Sequence, residues 1–154
     1  MHPLDPAIKT VWTIKLALFW AVLVLAALTY DVLSFFDPDR WAPFALTGSV
    51  LLVGVVLALV LPRLRYRFWR FDLRPEELYL ERGVWNRVRT IVPLRRIQHL
   101  DVSQDVLERN YGLGRLIVHT AGTRSSNVVL PGLRYEEAER LRDEVKHYIT
   151  EDAV

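Results

Sequence analysis

The sequence predicts an α+β membrane protein: a two-helix transmembrane hairpin, then an antiparallel β barrel or sandwich capped by a C-terminal amphipathic helix. The first 62 residues hold two long apolar runs. Six short β-rich runs follow at close spacing, and the chain finishes with apolar residues at helical spacing. The charged residues also differ between these two parts of the chain. Residues 1–62 contain three basic and four acidic side chains, a net of −1, and residues 63–154 contain seventeen and fourteen, a net of +3.

The first apolar run predicts a span over about residues 11–36. Its uninterrupted part, 16–28, is too short alone, and the longer span includes Lys15 and Asp31 near its two ends. A lysine can extend its ammonium group to the near interface. A cleaved signal peptide is the competing interpretation of this segment, with Lys9 and Lys15 as its basic region. Because a second span follows directly, we favour a transmembrane hairpin closed by the loop "FDPDR" over a signal peptide.

The second apolar run is the clearer span. Residues 41–61 contain no ionisable side chain. Twenty-one helical residues at about 1.5 Å each cross the roughly 30 Å hydrocarbon layer. Because proline is ill suited to a continued helix, we expect the helix to end at Pro62. Apolar residues then alternate with arginines around Tyr66 and Phe68, so we expect the first β-strand to begin there.

The flanking charges predict which side of the membrane each segment occupies. Lys9 and Lys15 precede the first span, and arginines follow the second, whereas the connecting loop carries Asp37 and Asp39 with a single arginine. By the positive-inside rule, both termini are cytoplasmic. The predicted segments are a cytoplasmic start (1–10), the hairpin (11–62), a cytosolic domain (63–150) and a tail (151–154).

The sequence of the cytosolic part predicts short strands followed by one helix. After the arginine-rich stretch come "LYLERG", "RVRTIVPL", "IQHLDV", "LIVHTA" and "NVVL", separated by turn-forming residues such as those of 122–126. In "RYEEAERLRDEVKHYI", one apolar stripe at three- and four-residue steps predicts an amphipathic helix. Its members are Tyr135, Ala138, Leu141, Val145, Tyr148 and Ile149. Such a helix covers an open end or face of the sheet.

The run "RIQHLDVSQDVLERNYGLGRLIVHTAG", with the following "VVLPGL" and "EEAERLRDEV", resembles the bacterial pleckstrin-homology (PH) domain family of the membrane-flanked, YdbS-like type. The resemblance covers roughly residues 66–149. It implies a PH-like fold, a bent antiparallel barrel capped by the C-terminal helix, and it implies no defined ligand. Two departures occur in turns: Asp105-Val106 replaces a usual Gly-Pro, and Gly112-Leu113-Gly114 replaces Gly-Leu-Ala.

The sequence contains no recognisable catalytic or cofactor motif. His2, His99, His119 and His147 are scattered, and without cysteine or carboxylate companions at ligand spacing they predict no metal site. The stretch "GLGRLI" lacks the third glycine and the following helix of a dinucleotide loop. We therefore expect a non-enzymatic protein without cofactor, small-molecule substrate or nucleic-acid partner.

Two groups of side chains are candidate sites. Candidate headgroup contacts are Arg63, Arg65, Arg67 and Arg70, although these arginines also satisfy the topology rule without binding a lipid. A candidate partner surface is Arg96, Gln98, Asp101 and Gln104. The alternative for this second group is local bonding, with Asp101 and Arg96 pairing or capping turns.

These observations predict a multi-pass protein of the bacterial inner membrane. Its cytosolic module is expected to serve as an assembly or docking surface, for a second copy or for a related membrane protein. The alternative function is recognition of anionic lipid headgroups through the juxtamembrane arginines. A transport or pore component is a remote alternative, because the second span has only Thr47 and Ser49 as polar side chains.

Overall fold

The structure, a computed structural model, describes residues 2–35, 42, 44–121 and 127–151. The predicted loop "FDPDR", the aromatic Trp41, the predicted turn at 122–126 and the end of the tail lie outside these ranges. The four α-helices are α1 (Ile8–Leu33), α2 (Ala45–Arg67), α3 (Val106–Asn110) and α4 (Tyr135–Glu151). The strands are β1 (Arg70–Leu73), β2 (Glu77–Arg82), β3 (Val88–Pro93), β4 (Ile97–Ser103), β5 (Leu113–Thr120) and β6 (Asn127–Arg134), with a 3-10 turn at Leu94–Arg96.

The chain divides into two compact units. One runs from Trp12 to Arg63, and the other combines the N-terminal segment up to Val11 with the chain from Leu64 onward. The β unit contains two antiparallel three-stranded sheets, β1-β2-β3 and β4-β5-β6, and α4 packs mainly against the second sheet. The predicted α+β architecture of two apolar helices, two small sheets and a C-terminal helix is therefore confirmed.

The helical unit consists of two helices long and apolar enough to cross a membrane. Only 11% of the most apolar stretch of α1 and 17% of that of α2 is buried. A core helix of a water-soluble protein would be mostly buried, so this exposure favours lipid as the surrounding solvent. The hydroxyls of Thr29 and Ser49 donate to the carbonyls of Leu25 and Ala45, at 2.9 and 2.7 Å, so both are satisfied within their own helix.

Close packing between the two helices depends on Gly54. A Cβ added there would lie 2.9 Å from the Trp20 ring, so the absence of a side chain admits the indole. Ala58 is buried as well. A shallow apolar groove continues along the pair, and the exposed Ala17 and Ala21 line it.

The expected end of the second helix at Pro62 is wrong. Helix α2 continues through this proline to Arg67, and β1 begins at Arg70. Each residue added to an existing helix gains a hydrogen bond within that helix. A new strand, by contrast, gains its hydrogen bonds only once it pairs with a neighbouring strand. The missing amide hydrogen bond is tolerated at one position, and the Arg63 guanidinium donates to the nearby carbonyl of Leu59. The alternation around Tyr66 therefore belongs to a helix.

The N-terminal segment is part of the β unit. His2 pairs with Phe71 of β1 through two backbone hydrogen bonds of 2.7 and 3.1 Å, and the Asp5 amide donates to Gly132 of β6 at 2.7 Å. Three side chains of this region, Leu4, Ile8 and Val11, are at most 1% exposed. The segment thus connects β1 of one sheet to β6 of the other, and both ends of the helical hairpin enter one folded body.

The predicted apolar stripe of α4 is buried at its centre but not at its ends: Tyr135 is 36% exposed, and Tyr148 and Ile149 are only partly buried. Ala138 and Val145 are fully buried, and Leu141 is 9% exposed. They cover a core formed by inward-facing residues of both sheets. Its fully buried members include Leu78, Leu80, Leu113, Leu116, Val118, Leu130 and Leu133.

Candidate functional site

The four juxtamembrane arginines are distributed over two elements. Arg63, Arg65 and Arg67 lie in the last turns of α2, and Arg70 is the first residue of β1. Residues four apart share a helix face, so Arg63 and Arg67 project together while Arg65 projects from the opposite side. The Arg70 guanidinium donates to the carbonyl of Trp69 at 2.9 Å. The arginines therefore do not form a single cluster.

Arg65 has a basic neighbour that the sequence did not indicate. Its charge interacts repulsively with that of Arg82, the last residue of β2. The Lys9 ammonium lies 4.7 Å from the centroid of the Tyr66 ring, a cation–π contact in the same unit. Positive charge from the end of α2, the end of β2 and the start of α1 is thus gathered on the β unit.

The four residues of the predicted partner surface, which lie in and beside β4, do not form one cluster. Arg96 and Gln98 are exposed at the start of the strand. The pairing between β4 and β5 shifts register between Ile97 and His99, so Gln98 is the extra residue of a β-bulge. By contrast, Gln104 donates from Nε2 to the Leu113 carbonyl at 2.6 Å, which ties the end of β4 to the start of β5.

Asp101 is bound by two histidines. Its Oδ1 lies 2.8 Å from Nε2 of His99, and its Oδ2 lies 2.9 Å from Nε2 of His119. The other ring nitrogen of His119, Nδ1, is 2.9 Å from Oδ1 of Asn127. Strand register explains the cluster, because His99 and His119 are cross-strand partners with ring centroids 5.7 Å apart.

The histidine cluster links β4, β5 and β6 through side-chain contacts. In the described part of the chain, no group of three or more His, Cys, Asp or Glu side chains is arranged to hold a metal ion. Sequence reasoning treated the histidines separately. Only the β4–β5 register would have brought His99 and His119 together.

An open groove runs between β4 and the second half of α4. Its volume is about 470 Å³. From β4 it is lined by Ile97, Gln98, His99 and Leu100, and from α4 by Arg142, Asp143, Lys146 and Ile149. The lining is mixed: Ile97, Leu100 and Ile149 are apolar, and the other residues from the helix are charged. Arg142 donates to Asp143 at 2.9 Å, which raises the pKa of the guanidinium above its usual value.

A buried ion pair supports the far end of β4. Glu108, 3% exposed, accepts from Nε and Nη2 of Arg115 at 3.0 and 2.6 Å. Asp105 caps α3 by accepting from the Glu108 amide at 2.8 Å, and the Glu108 side chain accepts from the Asp105 amide at 3.0 Å. Partial burial acts to lower the pKa of Arg115, but the hydrogen bond and charge of Glu108, with those of Asp105, raise it overall.

The sequence profile of the bacterial PH domain family matches residues 12–149. This match includes both apolar helices and the β unit. The chain belongs to the bacterial PH domain family. As a bacterial PH protein it is 33% identical, over 156 residues, to UPF0699 transmembrane protein YdbS of Bacillus subtilis (strain 168), an alignment that covers 99% of this chain and 96% of YdbS.

A second relative is larger. This bacterial PH protein is 26% identical over 102 residues to UPF0699 transmembrane protein YdbT of the same organism, covering 66% of this chain and 20% of YdbT. No solved structure matches the chain significantly. The family match and the two exposed apolar helices identify it as a bacterial PH domain membrane protein with transmembrane helices.

Proposed function

We propose that this protein is a non-enzymatic membrane docking module that binds an extended segment of a partner in the groove between β4 and α4. The observation that carries the proposal is an open strand edge beside a groove. β4 is the outer strand of its sheet and, within the described residues, pairs with β5 alone. The neighbouring groove, about 470 Å³ in volume, has both apolar and charged lining.

An extended chain added along β4 would obtain affinity from backbone hydrogen bonds and specificity from side-chain contacts in the groove. Gln98 is placed to contribute to specificity, since it is the exposed extra residue of the bulge and it lines the groove. Arg142, Asp143 and Lys146 offer charges of both signs on the opposite wall. This wall suits a polar partner segment with an apolar residue directed toward Ile97 and Ile149.

The proposed partner is a second copy or a related membrane protein, and the proposed location is the cytoplasmic face of the bacterial inner membrane. The N-terminal segment and the β domain form one unit. If both apolar helices cross the bilayer, this unit lies on one side. Lys9 and Lys15 in the first turns of α1 and the arginines at the end of α2 favour the cytoplasmic side.

Site-specific cross-linking in native membranes tests the docking proposal. The chain has no cysteine, so a photoreactive group can be attached at a single engineered site. In Gln98→Cys, we expect covalent adducts with a second copy or with another membrane protein. The matched control is Arg109→Cys, an exposed residue of α3 at the other end of β4. Recovery of only monomers from Gln98→Cys, or identical adducts from both sites, would remove the proposal.

Recognition of anionic headgroups through Arg63, Arg65, Arg67 and Arg70 is a second candidate function. The observation in its favour is that the charge of Arg82 adds to that of Arg65 at the end of α2, where an anionic headgroup would interact favourably with both. The buried Leu4 and Ile8 belong to the same body, so the test requires the full chain and not a fragment that starts at Arg63.

The lipid candidate predicts selective retention of anionic lipid by the purified full-length protein. The variant Arg65→Gln/Arg67→Gln should lose retained phosphatidylglycerol relative to phosphatidylcholine, and added salt should weaken retention in the unmodified protein. The control variant Arg109→Gln/Arg140→Gln removes two exposed charges elsewhere. Equal lipid ratios in both variants would eliminate specific headgroup recognition.

A further inference from the structure

The turn between β2 and β3 presents a tryptophan to solvent. Trp85 is 71% exposed, more than any other large apolar side chain of the described β unit except Val106. Arg82 and Arg87, both exposed, stand on either side of it in the chain. Removing the indole from water would be favourable, so this side chain is available for contact with a partner or with the membrane interface.

The turn has a defined shape. Gly83 has a φ of +120°, and a Cβ added there would lie 1.8 Å from the carbonyl oxygen of Asn86. Only glycine fits this arrangement. The β2–β3 ladder is continuous up to the pair Arg82 and Val88, so the turn is supported at its base. Trp85 is thus projected from a well-supported turn.

The topology places this turn at the end of the sheet where the chain arrives from α2. Arg70, the first residue of β1, is the register partner of Glu81, next to the turn. Only two residues separate Arg70 from the end of α2, so the strand begins within about 10 Å of the helix end. The charge interaction between Arg65 and Arg82 is an independent indication of the same proximity.

We infer that the β2–β3 turn is a membrane-interface anchor, with Trp85 in the headgroup layer and Arg82 and Arg87 against lipid phosphates. Tryptophan prefers this layer because its ring is apolar and its N–H needs a polar partner. The flanking arginines complement an anionic leaflet. This contact would fix the orientation of the β unit on the bilayer. It goes beyond docking at β4 and does not depend on it.

Lipid-quenching of a fluorescent label beside the tryptophan tests this inference. Asn86→Cys leaves Trp85 in place and carries an environment-sensitive nitrobenzoxadiazole group. The full-length protein is placed in vesicles of phosphatidylcholine and phosphatidylglycerol containing a nitroxide-labelled lipid. The matched control is Glu76→Cys in the β1–β2 turn, at the opposite end of the six-residue strand β2 and about 20 Å away.

We expect the label at position 86 to be blue-shifted and quenched by the nitroxide lipid, and the label at position 76 to be neither. Adding Trp85→Ser, or Arg82→Gln with Arg87→Gln, should reverse both effects at position 86. Equal, water-like emission at both positions would overturn the inference. So would a blue shift at position 86 without lipid quenching, which would indicate that a protein covers the turn.

Discussion

Asp31 near the end of α1 caps the start of α2. Its Oδ2 accepts a hydrogen bond from the Thr47 amide at 2.9 Å and another from the Thr47 hydroxyl at 2.6 Å. Thr47 is the third residue of α2, where a free amide is usually satisfied by a capping side chain from the same helix. Here the neighbouring helix supplies the cap, and the fully buried carboxylate has a structural partner.

Asp31→Ala should destabilise the helical hairpin by about 1–2 kcal/mol, because it leaves the first turn of α2 without this cap. Asp31→Asn, which keeps an acceptor oxygen, should have a smaller effect. The measurement is the midpoint of unfolding of the purified protein in mixed micelles. Equal midpoints for the alanine variant and the unmodified protein would show that the cap contributes nothing.

Two glycines of the second helix provide a matched test of interhelical packing. Gly54→Ala places a methyl group 2.9 Å from the Trp20 ring, whereas a Cβ at Gly48 meets nothing within 4 Å. We expect Gly54→Ala to lower hairpin stability by about 1–3 kcal/mol through overpacking. Gly48→Ala should be neutral or stabilising, since alanine is the better helix former. The reverse order would contradict this packing.

A second pair of glycines tests the packing of the N-terminal segment. Gly132 and Gly112 both have positive φ, +67° and +64°. A Cβ at Gly132 would lie 2.8 Å from Ile8, while Gly112 has open space. Alanine at either site incurs backbone strain of about 1 kcal/mol, and at Gly132 it also displaces the segment. We therefore expect Gly132→Ala to lower the unfolding midpoint more than Gly112→Ala, and equal shifts would argue against this contact.

Removing Arg115 should be among the most damaging changes in the β unit. Arg115→Met leaves the carboxylate of Glu108 buried without its cation, at an expected cost of about 3 kcal/mol. Arg115→Met combined with Glu108→Gln should recover part of that loss, because no uncompensated charge remains. Thermal unfolding followed by circular dichroism measures both variants. If the double variant is less stable than Arg115→Met, the ion-pair explanation is wrong.

Local patterns were sufficient for much of the fold. Three patterns depend only on a single element and its environment, so the sequence alone reveals them. They are the 21-residue apolar run, the alternation of "LYLERG" and the stripe through Ala138 and Val145. Helix α3 was missed, although Asp105 followed by Glu108 is a capping-box signal. The continuation of α2 past Pro62 is not predicted, because the rule that a proline ends a helix gives no weight to the extension of a helix that has already formed.

Non-local relationships limited the prediction of the candidate site. The association of Asp5 and Ile8 with β6 depends on contacts more than a hundred residues apart in the sequence, which no local period encodes. The β4–β5 register decides that Asp101 meets His99 and His119, and the bulge decides that Gln98 borders a groove. The proximity of Arg82 to Arg65 is also non-local, since strand pairing brings the end of β2 back toward the end of α2.

We propose that one β unit, including the N-terminal segment, lies on the cytoplasmic side of two membrane spans. Labelling of single cysteines with a membrane-impermeant maleimide in intact and permeabilised cells tests it most directly. We predict that Pro3→Cys and Arg109→Cys react only after permeabilisation, and that Pro38→Cys between the spans reacts in intact cells. Opposite accessibility of positions 3 and 109, or reaction of both in intact cells, would contradict the account.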